Sequence, residues 1–486
     1  MSMSMSMSAA HPQILSRPIV LALWFPAILL TAPPCPAEPP QRPNIILILA
    51  DDLGWGELGS YGQRVIRTPK LDEMAREGMR FTHFYAGATV CAPSRSVLMT
   101  GQHHGHTRVR GNAGRTNPAA QALHDEDLTV AELALSAGYR TALFGKWGLG
   151  NVSGAESGLP NRQGFEQFFG YLSQHHAHNH FPDYLWENER RLPLRNVITP
   201  AGPDGAGYAT EAVEFADDLF AERVLKFVDE HRTEPFFLFW SLVTPHANNE
   251  RAAALGNGAH VPDFGPYADE DWPDQDKGHA AMITRLDAHV GRLLHRLRET
   301  GLDRRTLVVF SSDNGPHNES RHNLKRFNPS GPFSGIKRSL TDGGIRVPML
   351  AWQPDFVPAG SESHHVGSFC DILATVADLT GAPLPPNTDS ISLVPELSGR
   401  SDQQQQHQFL YWEFHEGGFR QACLYQQRWK AIRLLGQPLQ LFDTNTDPAE
   451  KHDVAGEQRE ITEITAAYLD QARTPSPDWE PKPANR

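Results

Sequence analysis

A cysteine, a proline and an arginine stand within five residues in the segment Cys91-Ala92-Pro93-Ser94-Arg95, which is predicted to open a helix. A thiol there lies near the positive end of the helix dipole and near a guanidinium, and both favour the thiolate anion. Such a group is a potential nucleophile or metal ligand. The alternative is a buried structural cysteine beside a surface arginine. The choice between them depends on the residues that accompany this segment.

Two further pairs of side chains offer oxygen ligands for a metal ion. Asp51 and Asp52 follow a continuous apolar run of strand length, and Asp313 and Asn314 follow a second one. Such runs are typical of strands buried on both faces, whose carboxyl ends carry the sites of open α/β sheets. Hard oxygen ligands favour Ca²⁺, with Mg²⁺ as the second choice, over zinc. A solvated turn is the alternative, but adjacent carboxylates repel each other unless a cation is near.

Three cationic side chains could offset this negative charge and admit an anionic substrate. They are Arg95, Lys146 at the end of a predicted strand, and Lys337 in a long polar loop. Each alone would be an ordinary surface charge, so the argument depends on all three lying on the same face of the sheet. His246 follows another buried strand and is either a site residue or a hydrogen-bonded residue at the edge of the core.

The elements that must position these residues are buried strands alternating with helical segments. The longest helical pattern, residues 279–300, has apolar residues at three- and four-residue spacing, and residues 151–216 are predicted to be irregular. Beyond residue 366 the strand patterns are those of an antiparallel sheet. We therefore expect an α/β catalytic domain over residues 43–365 and a smaller C-terminal α+β lobe with a tail over residues 366–486.

Composition excludes one broad class of function. The 486 residues include 44 Lys and Arg against 57 Asp and Glu, for a net charge of −13. Because there is no basic excess to neutralise phosphates, we expect no general binding to nucleic acid. Any anion site must be a local cluster of positive charge.

The first 37 residues are predicted to be a signal peptide for export to the periplasm or the medium. Their apolar run, residues 19–30, is interrupted by Pro26 and is too short to span a bilayer. We therefore expect no stable membrane span, and a retained membrane anchor is the alternative.

Removal of this leader would take away Cys35 and leave three cysteines, an odd number for an exported protein. Cys91 is then the candidate for chemical use. Cys370 and Cys423 either pair or are both buried.

The segment from Cys91 to Arg95, the following Thr100-Gly101 and the Asp pairs together resemble the Cys-x-Pro-Ser-Arg motif region of type I sulfatases. In that family the cysteine is converted to formylglycine by a maturating enzyme. The resemblance runs along almost the whole chain from Asn44 and is greatest to the arylsulfatase A-like and N-acetylgalactosamine-sulfatase branch. It implies the alkaline-phosphatase-like fold, a large mixed sheet flanked by helices with a small C-terminal lobe.

The resemblance also implies a role for each candidate residue. Arg95 would orient the hydrated aldehyde, Lys146 and Lys337 would bind sulfate oxygens, and His246 would protonate the leaving oxygen. One hydroxyl of the hydrated aldehyde would attack sulfur, and collapse to the aldehyde would then release sulfate. The ligands of Ca²⁺ would be Asp51, Asp52, Asp313, Asn314 and the modified Cys91.

The chain departs from the family pattern at Gly148, where many sulfatases have a histidine that assists collapse of the diol. Another base, such as His103, His104 or a water molecule, would then take that role. The aromatic and histidine-rich loop 175–186, with His178 as the candidate residue, is expected to contact the substrate. A structural loop is the alternative.

These observations lead to a calcium-dependent hydrolase of sulfate esters, acting on a sulfated carbohydrate or an aryl sulfate. Two alternatives stay open at this point. One is a phosphonate or phosphate ester hydrolase of the same fold, and the other is a catalytically weak protein that binds sulfated glycans.

Overall fold

The computed structural model describes residues 42–113, 117–152 and 156–483. The expected signal peptide, residues 1–37, and Cys35 lie outside the described residues. Within the described ranges, no helix combines the length and the apolar composition needed to cross a membrane.

The strands of the described residues are β1 Asn44–Asp51, β2 Met79–Tyr85, β3 Arg140–Lys146, β4 Gln167–Tyr171, β5 Tyr184–Glu187, β6 Arg190–Pro193, β7 Val197–Pro200, β8 Gly207–Glu211, β9 Phe236–Pro245, β10 Thr306–Ser312, β11 Arg346–Trp352, β12 Ser361–Ser363, β13 Gly367–Ser368, β14 Phe409–Phe414, β15 Arg420–Tyr425, β16 Trp429–Leu434 and β17 Gln440–Asp443.

The α-helices are α1 Pro69–Glu77, α2 Cys91–Thr100, α3 Val130–Ser136, α4 Gln174–Ala177, α5 Ala216–Glu230, α6 Asn249–Leu255, α7 Asp274–Glu299, α8 Leu324–Phe327, α9 Asp342–Ile345, α10 Asp371–Thr380, α11 Val394–Leu397 and α12 Arg459–Gln471.

A large mixed sheet forms the centre of the fold. Its strand order is β12-β2-β11-β10-β1-β9-β3-β4-β5-β6, and β13 also pairs with β2. The central strands β10, β1, β9, β3 and β4 run parallel to one another. Antiparallel pairing begins at β11 on one side and at β5 on the other. The carboxyl ends of the five central strands therefore lie along one edge of the sheet.

Strand β1 shows why the central strands appear in the sequence as continuous apolar runs. Ile45, Leu47 and Leu49 belong to one core cluster, which also contains side chains of α2, α3 and α10. Ile46 and Ile48 belong to a second cluster with side chains of α1, α5 and α7. Because successive side chains point to opposite faces, both faces of β1 are covered by helices and both must be apolar.

A smaller antiparallel sheet, β14-β15-β16-β17, forms the C-terminal lobe. On one face, Leu469 of α12 packs with Tyr411 and Cys423. On the other face, Trp412 packs with Tyr85 of the large sheet. The expected fold class, a large mixed sheet flanked by helices with a smaller C-terminal α+β lobe, is confirmed. The expected boundary between residues 43–365 and 366–486 stays a prediction.

The prediction that residues 151–216 are irregular is wrong. The described part of this region contains the strands β4 to β8 and the short helix α4. These strands have four or five residues each, too few for a clear alternation of apolar and polar residues. The β5–β6 hairpin, for example, turns at Asn188, whose φ of 51° lies in the left-handed region that Asn tolerates.

Candidate active site

The candidate site lies at the edge where the central parallel strands end. Asp51 is the last residue of β1, and Lys146 is the last residue of β3. The register pairs Ala50 of β1 with Ser312 of β10, so Asp51 and Asp313 are the next residues of two adjacent strands. The sheet thus brings together residues that are more than 250 positions apart in the chain.

Cys91 opens helix α2 beside this edge. Its Sγ lies 3.3 Å from Oδ1 of Asp51, and the side chain is only 2% exposed. Burial, together with the negative charge of Asp51, raises the pKa of the thiol well above its ordinary value. The expectation that the helix dipole and Arg95 favour the thiolate is therefore wrong for the unmodified residue.

The guanidinium of Arg95 makes its hydrogen bonds to groups other than the thiol. Its Nε and Nη2 donate to Oδ2 of Asp313, at 3.0 and 2.9 Å. Its Nη1 donates to the backbone carbonyl of Lys146 at 2.9 Å and to Oγ of Ser241 at 2.5 Å. This fully buried side chain therefore links the end of β3, the residue after β10 and the middle of β9.

Asp51 and Asp52 each form an ion pair with a different lysine. Lys146 Nζ lies 2.5 Å from Oδ2 of Asp51, and Lys337 Nζ lies 2.8 Å from Oδ2 of Asp52. Burial alone would raise the pKa of both carboxyls, but the lysine charges outweigh it and hold both values below the ordinary range. Asp313 is different, because burial and the charge of Asp51 raise its pKa to about 7.

One buried oxygen at this edge has no hydrogen-bond partner among the described residues. It is Oδ1 of Asn314, whose Nδ2 donates to Oδ1 of Asp52 at 2.7 Å and to the Gly315 carbonyl at 2.9 Å. An unpartnered buried acceptor is costly unless a cation lies against it. Asp51, Asp52 and Cys91, with His246, also offer potential ligand atoms within 4.8 Å of one another. Apart from the thiol and the imidazole, the donors here are the oxygens of Asp51, Asp52 and Asn314, which fit Ca²⁺ or Mg²⁺.

His246 joins this cluster through Lys337. Its Nδ1 donates to the Ala247 carbonyl at 2.7 Å, so its Nε2 is an acceptor and receives a hydrogen bond from Lys337 Nζ at 3.2 Å. Burial and the adjacent Lys337 charge lower the pKa of His246 well below its ordinary value. The resting imidazole is therefore neutral.

A cavity of about 780 Å³ opens onto these residues. Cys91, His246 and Lys337 line it. His178 and Glu250 line another part of the cavity. The ring of His178 stacks on that of His246 with centroids 4.9 Å apart, and Oε2 of Glu250 lies 3.1 Å from Nδ1 of His178. The structure thus places His178 beside the cluster, and its role in substrate contact stays a prediction.

One expectation about rings near the site is wrong. His103 and His104 line a different, small cavity, where His104 Nε2 pairs with the Arg110 carbonyl at 3.1 Å. They are therefore not placed to replace a histidine at position 148. In the loop 175–186, Trp186 is a buried core residue, whereas His175 and His178 line the cavity at Cys91, and contact of the loop with the substrate stays a prediction.

The thiols of Cys370 and Cys423 are both buried and free, so the second of the two alternatives for these residues holds. Neither of them lines the cavity at Cys91.

Four residues at the site could not be predicted as site residues from the sequence. Ser241 lies on β9 and contacts Arg95, while Glu319 bridges Lys337 Nζ at 3.2 Å and Arg338 Nη1 at 2.6 Å. Gln174 and Glu250 line the cavity. The only usable signal was the position of Ser241 at the end of the apolar run 235–241, which lies within β9, since the other three residues are placed by loops and short helices.

Comparison with known proteins agrees with this geometry. The family model described as Sulfatase matches residues 43–382, and the one described as N-sulphoglucosamine sulphohydrolase, C-terminal, matches residues 334–474. N-acetylgalactosamine-6-sulfatase from Sus scrofa is 34% identical over 385 residues, covering 74% of this chain and 67% of that protein. Arylsulfatase A from Homo sapiens is 33% identical over 392 residues, covering 76% and 71%.

A solved structure extends the likeness to the fold. The crystal structure of Ps i-CgsB in complex with k-i-k-neocarrahexaose superimposes with a TM-score of 0.74 at 26% identity, covering 91% of this chain and 94% of that one. The Sulfatase model alone spans well over half of the chain, and it includes every residue of the cluster around Cys91. The chain therefore belongs to the sulfatase family.

Proposed function

We propose that this protein hydrolyses sulfate esters of carbohydrates, using Ca²⁺ and a formylglycine made from Cys91. The observation that carries the proposal is the position of Cys91 Sγ, 3.3 Å from Asp51 at the wall of a cavity that Lys337 and His246 also line. A nucleophile, candidate metal ligands and a cation for the substrate thus meet in one place. The relatives named above act on sulfate esters by their names, and one solved neighbour holds an oligosaccharide.

Asp51, Asp52, Asp313 and Asn314 would hold the ion, together with the converted residue 91. The ion would neutralise the carboxylates and polarise a sulfuryl oxygen, and the hydrated formylglycine would supply a hydroxyl nucleophile. The unpartnered Oδ1 of Asn314 and the raised pKa of Asp313 both support a cation there, because each group lacks sufficient positive charge in the protein alone.

Arg95 keeps this arrangement rigid. Its guanidinium is committed to Asp313 and to the end of β3, so we infer that it orients residue 91 through these neighbours. Lys146 and Lys337 would bind the sulfuryl oxygens, because their ammonium groups lie beside Asp51 and Asp52.

The leaving oxygen needs a proton, and His246 is the group proposed to deliver it. His246 Nε2 is an acceptor in the resting site, so His246 must take up a proton there before it can pass one on. Lys337 Nζ lies 3.2 Å away and would hold the imidazole in place. Burial alone would lower the pKa of Lys337, but the Asp52 carboxylate outweighs burial and raises it well above its ordinary value, so Lys337 keeps its proton.

We further propose that the protein is exported and is matured by a formylglycine-generating enzyme. The fit of residues 91–95 to the motif supports the maturation. The apolar segment within residues 1–37 supports the export.

The test is a paired assay on sulfate and phosphate esters of the same phenol and of the same sugar, with protein co-expressed with a formylglycine-generating enzyme. Mass spectrometry of the peptide containing residue 91 should show the mass loss of thiol-to-aldehyde conversion. We expect hydrolysis of the sulfate esters, abolished by Cys91→Ala. The control is Cys423→Ala, since Cys423 is equally buried but lies in the small sheet.

Preference for the phosphate esters would show a phosphoryl hydrolase of the same fold. Conversion of residue 91 without any turnover, but with binding of the sulfated sugar, would show a glycan-binding protein. Either outcome contradicts the proposed function.

A further inference from the structure

Gly148 and Gln174 approach each other closely beside the candidate site. Gly148 follows β3 and has a φ of +82°, in the left-handed region. A Cβ at this position would lie 2.6 Å from Nε2 and 3.0 Å from Cδ of Gln174. The carboxamide of Gln174 therefore occupies the space that a side chain at residue 148 would need, and glycine is required both by the backbone and by this neighbour.

The amide nitrogen of Gln174 is buried without a hydrogen-bond partner among the described residues. The residue as a whole is only 7% exposed, and it lines the same cavity as Cys91, His246 and Lys337. A buried N–H donor with no acceptor has lost its hydration without compensation, so such a group calls for an explanation, and a ligand is one. The carboxamide is thus a candidate ligand-binding group.

The surrounding backbone holds Gln174 at the edge where the parallel strands end. Strand β4 pairs with β3 so that Tyr171 lies opposite Lys146, and the Gly148 N–H donates to the Leu172 carbonyl at 3.1 Å. Gln174 comes three residues after Tyr171. It therefore lies beside the strand end that carries Lys146, whose Nζ contacts Asp51.

We propose that the Gln174 carboxamide donates a hydrogen bond to a sulfuryl oxygen of the substrate. This inference rests on the proposed function, because it takes the sulfate to lie between residue 91 and the two lysines. A sulfate group offers only acceptors, and a buried N–H donor matches it without adding charge. Gln174 would thus bind the part of the substrate that every sulfate ester shares, and not the sugar.

The near-isosteric variant Gln174→Met removes the donor and keeps the bulk. We expect kcat/KM to fall by about 10- to 100-fold, the range for a hydrogen bond to a charged group. The loss should be equal for 4-nitrophenyl sulfate and for a monosaccharide sulfate. Gln174→Glu should lose more, because a carboxylate repels the sulfate.

The matched control is Ala253→Val, which alters the cavity lining at α6 without touching a buried polar group. It should affect the monosaccharide sulfate alone. Thermal unfolding of each variant, measured in parallel, separates a loss of binding from a loss of fold.

The close approach of Gly148 gives an independent check through a double-mutant cycle. Gly148→Ala places a Cβ against the Gln174 amide and should lower kcat/KM by displacing it. In the Gln174→Ala background most of this loss should disappear, because the displaced atoms are no longer there. The left-handed backbone strain would remain as a loss of thermal stability in both backgrounds.

Binding of inorganic sulfate, measured as a rise in the unfolding temperature, tests the inference without turnover. We expect the wild type to be stabilised by sulfate and Gln174→Met to need about tenfold more sulfate for the same shift. Equal sulfate affinity in the two proteins, or a kinetic loss restricted to the sugar sulfate, would overturn the inference. Because this measurement needs no catalysis, it distinguishes failure of the inference from failure of the proposed function.

Discussion

Lys337 Nζ lies 3.2 Å from Nε2 of His246, while the other ring nitrogen of the histidine donates to the Ala247 carbonyl at 2.7 Å. The imidazole is therefore oriented to accept a proton at Nε2 and not to give one. In the proposed mechanism, His246 must therefore take up a proton at Nε2 before it can protonate a leaving group.

Substitution of His246 should harm substrates with poor leaving groups most. For His246→Ala we expect kcat on a sugar sulfate to fall by about 10²- to 10⁴-fold, the usual contribution of general acid catalysis. An activated aryl sulfate needs little protonation, so its kcat should change much less. Steady-state kinetics on the two substrates measures the difference, and equal losses on both would exclude a role in proton delivery.

Loss of Asn314 should weaken metal binding without removing a charge. Asn314→Leu takes away the unpartnered Oδ1, so we expect the Ca²⁺ dissociation constant to rise by about 10- to 100-fold or more. This is the range for loss of a group that only supports a metal ligand, and loss of a ligand itself should cost no less. Titration of the unfolding temperature with Ca²⁺ after chelation measures this constant. Asn314→Asp, which keeps an oxygen ligand, is the control. Unchanged Ca²⁺ affinity in Asn314→Leu would place the ion elsewhere.

Removal of Arg95 should destabilise the fold as well as the activity. Arg95→Met leaves Asp313 buried without its partner, and breaking such a pair costs about 3–5 kcal/mol in the free energy of unfolding. Urea denaturation measures the loss. The control is Arg296→Met, because Arg296 pairs with Asp229 at the surface, where solvent screens the pair and it should contribute little to stability. Comparable losses in the two variants would contradict the structural role assigned to Arg95.

The pair formed by His407 and Asp371 should make stability depend on pH. Burial alone would lower the pKa of His407, but the Asp371 carboxylate, 2.7 Å from Nε2, outweighs burial and holds the pKa above its ordinary value. A raised histidine pKa stabilises the fold fully below about pH 6.5, its unfolded value, and this contribution is lost as pH rises through the folded value.

For His407→Gln we therefore expect the loss in unfolding free energy to be largest near pH 5 and to shrink toward pH 9. Denaturant unfolding at several pH values measures it. Asp371→Asn should remove the same pH-dependent part. A loss that grows with pH would show that the pair lowers the pKa of His407 in the folded protein and would contradict the prediction.

The metal-ligand cluster could be anticipated from the sequence, while its surroundings could not. Asp51 and Asp313 each follow an apolar run that only a strand buried on both faces explains, and parallel neighbours must end at one edge. Glu319 and Gln174 reach the site from a loop and a four-residue helix, whose course no periodicity reveals.

The pKa of Cys91 shows how distant contacts can outweigh a local argument. Burial and the charge of Asp51, which closes β1, raise this pKa. The hydrogen-bond donors of Arg95, four residues from Cys91, are used by Asp313, Lys146 and Ser241. A pattern within five residues could not show these contacts.

The burial of Cys91 also constrains when the chain can be matured. Every side chain of α2 is buried, and the thiol lies in the first turn of that helix. In the proposed maturation the thiol would have to reach a second enzyme, and the folded, buried helix prevents that contact. We therefore expect conversion to precede the completion of folding, and a chain that folds first would keep its thiol.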